Sequence, residues 1–191
     1  MNKMWNFIKD WFIKMGSPPL FFKWSSKILP WLILVTFVVF ILGLTWGLFY
    51  SPTDYKQGDV YRIIYIHVPS AILGQSIFMF MAVCGFITMV WRVKISGMLL
   101  KSAAPIGASF TLLALLTGSI WGKPTWGTWW VWDARLTSTL ILFFIYAAII
   151  GLHSSIDNKS KADRAISILS IVGIAIIPII KKSVDWWQTL H

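Results

Sequence analysis

The chain contains five apolar runs that can each cross a lipid bilayer, and little between them that could build a soluble core. The first, Ile28–Tyr50, carries no charged side chain. As a helix it would rise about 34 Å, against roughly 30 Å of hydrocarbon in a bilayer. The second region, Ile63–Trp91, is too long for one straight span, and Pro69 divides it. Proline favours the first helical position, so the membrane helix is expected to start at Pro69, with Tyr65-Ile-His67-Val at its mouth. The remaining runs are Ala103–Ile120, Leu136–Leu152 and the shorter Ala165–Ile180, which Arg164 and Lys181-Lys182 bound. With 57% hydrophobic and 13% charged residues and a mean hydropathy of +0.71, the chain reads as an all-α polytopic membrane helix bundle. It forms one integral membrane domain over residues 1–191, with five spans between 28 and 180 and a tail from 181 to 191.

The net charge of +10 does not point to nucleic acid, because the basic residues flank apolar runs instead of forming a stripe. They act as topology signals and contacts to anionic membrane lipid. Lys3, Lys9, Lys14, Lys23 and Lys27 precede the first span; Arg92, Lys94 and Lys101 follow the second; Lys159, Lys161 and Arg164 follow the fourth. The alternate connections carry only Lys56 and Arg62, Lys123 and Arg135, and Lys181 and Lys182. The richer side is expected to be cytoplasmic, which puts the connection between spans three and four on the outer face. The seven acidic residues are all Asp, so paired-carboxylate acid–base chemistry is poorly supplied. Cys84 is the only cysteine and supports neither a disulfide nor a thiol-linked cofactor.

Residues 1–27 are not a signal peptide, because the apolar run that follows is too long and no small-residue cleavage site is present. Trp5, Ile8, Phe12 and Met15 recur at helical spacing with Lys9 and Lys14 among them, as in a short interfacial amphipathic helix that Gly16-Ser-Pro-Pro19 would end.

The connection between spans three and four is the most unusual stretch, with Trp121, Trp126, Trp129, Trp130 and Trp132 followed by Asp133. Gly122, Pro124 and Gly127 interrupt helix propensity, so residues 121–135 are expected as an outer-face loop or short surface helix. An aromatic belt accounts for one or two Trp at a helix end, but not for this density. The indoles suit a flat platform for a ligand. Asp133 has a sufficient role as N-cap of span four. Arg135 and Lys123 can pair with the carboxylates of an anionic ligand, contact lipid headgroups or pair with Asp133.

The charge pattern puts His67 and His191 on the same outer face as the Trp stretch. Imidazole is the commonest ligand for biological iron and zinc, and two imidazoles beside indoles suit a flat metallomacrocycle. A plain interfacial hydrogen-bonding role is the alternative for His67. His153 falls on the opposite side and is expected to be structural. Met79, Met81 and Met89 are expected to be packing residues.

The run Trp121-Gly-x-Pro-x-Trp-Gly-x-Trp-x-Val-Trp-Asp-Ala-Arg-Leu-Thr137 resembles the tryptophan-rich signature of the haem exporter protein C family of cytochrome c maturation. Haem lyases and synthases share a Trp-rich core, but continue differently after the Asp and are longer. Tyr65-Ile-His-Val-Pro-Ser70 and Val184-Asp-Trp-Trp-Gln-Thr-Leu-His191 are similar to two further segments of the family, each with an outward His.

The resemblance implies a protein that is not an enzyme. It would hold haem b non-covalently at the outer face of the bacterial inner membrane and present it to a periplasmic haem chaperone. His67 and His191 would be the axial iron ligands, Trp121, Trp126, Trp129, Trp130, Trp132 and Asp133 would form the haem platform, and Arg135 and Lys123 would hold propionates. The family's partners are the two subunits of an ABC transporter and a small single-span membrane protein. A transporter permease or scaffold that never ligates haem, and a haem lyase-type enzyme, are the rival readings. The family has six helices, so a sixth would be expected after His191.

Overall fold

In the computed structural model the described residues are 16–187. The expected N-terminal amphipathic helix and His191 lie outside them. Six α-helices make five membrane-length spans, and no strand occurs among the described residues. Helix α1 is Pro18–Thr45, continued by a π-helical turn, Trp46–Tyr50. Ser17 is its N-cap, and Pro18 and Pro19 occupy the first turn, where a missing N–H costs nothing. The helix thus starts well before the expected Ile28. None of its residues is buried, as suits a helix apolar on every side and bathed in lipid. Its far end is tied down by Arg62, whose Nη1 and Nη2 donate to the carbonyls of Leu48 and Ser51, each at 3.1 Å.

A 3-10 turn, Asp59–Ile63, leads into α2, Ile64–Trp91. This corrects the expected start at Pro69. The helix runs through that proline, which removes only the bond to the Tyr65 carbonyl. The next hydroxyl, Ser70 Oγ, donates to the Ile66 carbonyl at 2.6 Å. In lipid no water competes for backbone groups, so a helix outlasts a proline that would end it in water. Helix α3, Lys94–Trp126, passes Pro105 and Pro124 in the same way. It is longer at both ends than the expected Ala103–Ile120 and includes Trp121, Lys123 and Trp126 of the Trp-rich stretch. Gly127, at φ 79°, ends it in the left-handed region that glycine adopts without strain. The loop proper is therefore residues 127–133. Helix α4 is Ala134–Ser155, with Asp133 as its N-cap: Oδ1 accepts from the Leu136 N–H at 2.7 Å.

The fifth span is two helices, α5 (Lys159–Gly173) and α6 (Ile176–Trp186), joined by a short turn. Lys181 and Lys182 are consequently helical residues of α6 and do not follow the span as expected.

Helices α2 to α6 pack around Phe78, Met81, Leu100, Leu142, Tyr146, Ile166 and Ile177. Membrane helices gain nothing from excluding lipid, so close approach and interhelical hydrogen bonds hold them together. Tyr146 shows both. Its hydroxyl donates to the Gly74 carbonyl at 2.7 Å, and its ring lies so close to Gly107 that a Cβ there would collide with it. Alternation of the spans puts His67 and the Trp-rich loop at one end of the bundle. Arg92, Lys94, Lys159 and Arg164 lie at the other.

Candidate ligand site at the Trp-rich end

His67 is on the first turn of α2 and half-buried against α3. Its Nδ1 lies 3.0 Å from Thr117 Oγ1. The Thr117 hydroxyl donates along its own helix, to the Leu113 carbonyl at 2.7 Å, with Ala114 O at 3.2 Å. Thr117 Oγ1 thus stands between the imidazole and the carbonyls of its own helix, and its single proton serves one of them or Nδ1. With that proton on the Leu113 carbonyl, the imidazole donates from Nδ1 and carries its lone pair on Nε2. That is the tautomer a metal-ligating histidine needs, with the orienting bond a ligand histidine usually has. Gly118 makes the approach possible: a Cβ there would stand 3.0 Å from His67 Cε1. Trp121, one turn further along α3, meets the His67 ring edge-on at 5.7 Å between centroids and 74° between planes.

A cleft of about 390 Å³ opens beside His67, walled by α2, α3, α4 and α6. Gln75, Met79, Leu136, Arg135 and Lys181 are among its lining residues. An imidazole and two cations thus share one largely apolar recess, which suits a flat apolar ligand with negative groups at its edge.

The five indoles of the Trp-rich stretch do not lie in one plane. Trp121 is pinned by donating Nε1–H to Gln57 Oε1 at 2.7 Å. Trp126 folds back over Gly122, where a Cβ would be 2.8 Å from its ring. Trp130 and Trp132 meet edge to face at 77°. Among the described residues Trp130 Nε1 is buried without a hydrogen-bond partner. Trp129 and Trp132 are the outward members, 55% and 76% exposed. Ser119 Oγ donates to the Trp129 carbonyl at 2.6 Å and fixes the loop to α3.

Of the two cations expected to meet carboxylates, only Arg135 lines the cleft. Lys123 donates to the Gly127 carbonyl at 3.1 Å and lies 6.0 Å over the Trp129 ring, which is helix C-terminal capping. His153 is at the other end, its Nε2 3.7 Å from Asp163 Oδ1. Sequence reasoning missed Thr117, Gly118 and Gln57, and read Lys181 only as a topology signal. Thr117 and Gly118 lie fifty-odd positions from His67, and no local pattern links them to it.

Five membrane-length helices, with an imidazole, an indole and a cleft at one end of the bundle, define a polytopic membrane protein. The chain belongs to the heme exporter protein C family, whose model matches residues 11–191. It is 48% identical to heme exporter protein C of Escherichia coli K12 over 178 residues, 93% of this chain and 73% of that protein. It is 44% identical to that of Haemophilus influenzae over 181 residues, covering 95% and 74% of the two chains. With that of Bradyrhizobium diazoefficiens the identity is 46% over 179 residues, covering 94% and 68%. Membership carries a role in haem export for cytochrome c maturation, within an exporter system that has further subunits.

Proposed function

We propose that this chain is a non-enzymatic haem presenter, which holds haem b without a covalent bond and hands it to a periplasmic haem chaperone. The observation that carries the reading is the Leu113–Thr117–His67 relay, which supports the ligating tautomer of an imidazole beside a cleft lined by Arg135 and Lys181. The haem iron supplies a coordination site for imidazole. His67 Nε2 would hold it, with His191 as a second ligand. Arg135 and Lys181 hold the propionates. The exposed Trp129 and Trp132 cover the outward part of the ring and meet the incoming chaperone, with Trp121, Trp126 and Trp130 behind them. Hand-over exchanges iron ligands and makes or breaks no bond within the macrocycle.

The protein resides in the bacterial inner membrane with the Trp-rich loop on the periplasmic side, a placement supported by the Lys and Arg excess on the alternate connections. The partners are ABC transporter subunits and a small single-span membrane protein of the same system. The test is the absorption spectrum of the purified chain loaded with haem. Replacing His67 with Ala should shift or abolish the haem bands, while His153→Ala leaves them unchanged. An unaltered spectrum for the His67 variant would sink the proposal.

A further inference from the structure

At the end of the bundle opposite His67, a cleft of about 850 Å³ opens where α2 ends and α3 and α5 begin. Four cations from three elements converge on it: Arg92, Lys94, Lys159 and Arg164. The one acid there, Asp163, faces His153 from α4, with 3.7 Å between Oδ1 and Nε2. Met89, Val93 and Met98 make the apolar part of the wall.

Three of these cations stand where local backbone energetics disfavour them. Arg92 has φ 53° and ψ 34°, the left-handed conformation, and ends α2 where glycine would be less strained. Lys94 and Lys159 are the first residues of α3 and α5, where the helix dipole repels a cation and acids are preferred. Neither helix has an acidic residue in its first turn, and no side chain caps α3. Two helix N-termini therefore add partial positive charge to the four side chains, although at α5 Asn158 Oδ1 already accepts from the Lys161 N–H at 3.0 Å. A topology signal requires cations near this membrane face, but not their convergence on one cleft at unfavourable positions.

We propose that this cleft binds the phosphodiester headgroup of an anionic phospholipid, with the glycerol end against the apolar wall. Cations around a cleft between membrane helices, beside an apolar wall of Met89, Val93 and Met98, match that amphiphile. A soluble phosphate would meet only the charged half.

The experiment is native mass spectrometry of the full-length chain in detergent. It is titrated with short-chain phosphatidylglycerol, and separately with phosphatidylcholine of the same chain length. One saturable phosphatidylglycerol adduct is expected, at least about tenfold tighter than phosphatidylcholine. Arg92→Gly with Lys159→Gln should weaken it by about tenfold or more. Both changes relieve an unfavourable local conformation or charge, so loss of fold does not explain loss of lipid, and an unchanged haem spectrum at the His67 end confirms it. Equal binding of the two lipids, an unweakened double variant, or displacement of phosphatidylglycerol by inorganic phosphate each overturns the proposal. The last of these would make the cleft a free-anion site.

Discussion

His67 Nδ1 and Thr117 Oγ1 lie 3.0 Å apart across two helices, and the same hydroxyl is 2.7 Å from the Leu113 carbonyl of its own helix. Thr117→Val keeps the size of the side chain but removes the acceptor. Losing such an orienting partner typically lowers ligand affinity about 10–100-fold. The variant should therefore bind haem more weakly while still showing imidazole-ligated bands, and Thr117→Ser should restore affinity. Haem titration followed by absorbance measures both. If valine is tolerated at wild-type affinity, the hydrogen bond is packing and not orientation.

Arg135 and Lys181 share the cleft with His67 and should discriminate haem from its dimethyl ester, in which the propionates are neutral. The wild-type chain is expected to prefer haem by about tenfold or more, since each charge-assisted contact contributes roughly 1.5–3 kcal/mol. The Arg135→Gln, Lys181→Gln variant should bind the two forms alike. Competition titration decides it, and equal affinities in the wild type would remove these cations from the site.

Trp129 and Trp132 project outward, whereas Trp126 closes the end of α3 over Gly122. Replacing Trp129 and Trp132 with Ala should lower haem occupancy or slow transfer to the chaperone, with insertion and thermal stability unchanged. Trp126→Ala should instead destabilise the helix end. Occupancy by absorbance, transfer by stopped flow and melting in detergent separate the two outcomes. Wild-type occupancy and transfer for the outward pair would leave those indoles only as membrane anchors.

Tyr146 and Gly107 test the bundle independently of the site. Tyr146→Phe loses one interhelical hydrogen bond and should cost about 0.6 kcal/mol, an average for such bonds in membranes. Gly107→Leu drives a side chain into the Tyr146 ring and should cost about 3 kcal/mol or prevent assembly. Thermal denaturation in detergent should rank them in that order, and the reverse order would mean that close packing is not what holds α3 to α4.

The five spans were legible because length and continuous apolarity are local properties, and so was the Asp133 cap, since its oxygen reaches only three residues along the chain. Pro69 and Pro124 misled because each removes only one backbone bond, and the next hydroxyl, Ser70 to the Ile66 carbonyl and Thr125 to the Trp121 carbonyl, braces the turn. The break after Gly173 left no signal in an apolar run that looks continuous. Haem chemistry was suggested by the density of Trp and by family resemblance, but the constellation itself was not. His67, Thr117, Arg135 and Lys181 come from four helices and meet only when those helices pack. Even the indoles, obvious as a group, divided into pinned and outward members for reasons that lie in Gln57 and Gly122.

Helix α3 has 33 residues and is continuous, so it is about 50 Å long, some 20 Å more than the hydrocarbon it crosses. With Lys94 at one interface, the stretch from Thr117 to Trp126 rises out of the acyl region on the far side. The helix is thus a ruler that sets how far Thr117 and Trp121, the residues meeting His67, stand from the opposite face. Under the proposed function, a soluble acceptor would meet haem at His67 without crossing the acyl region. Shortening the ruler by one turn would lower Thr117 and Trp121 by about 5 Å and part them from His67, though every contacting side chain would still be present.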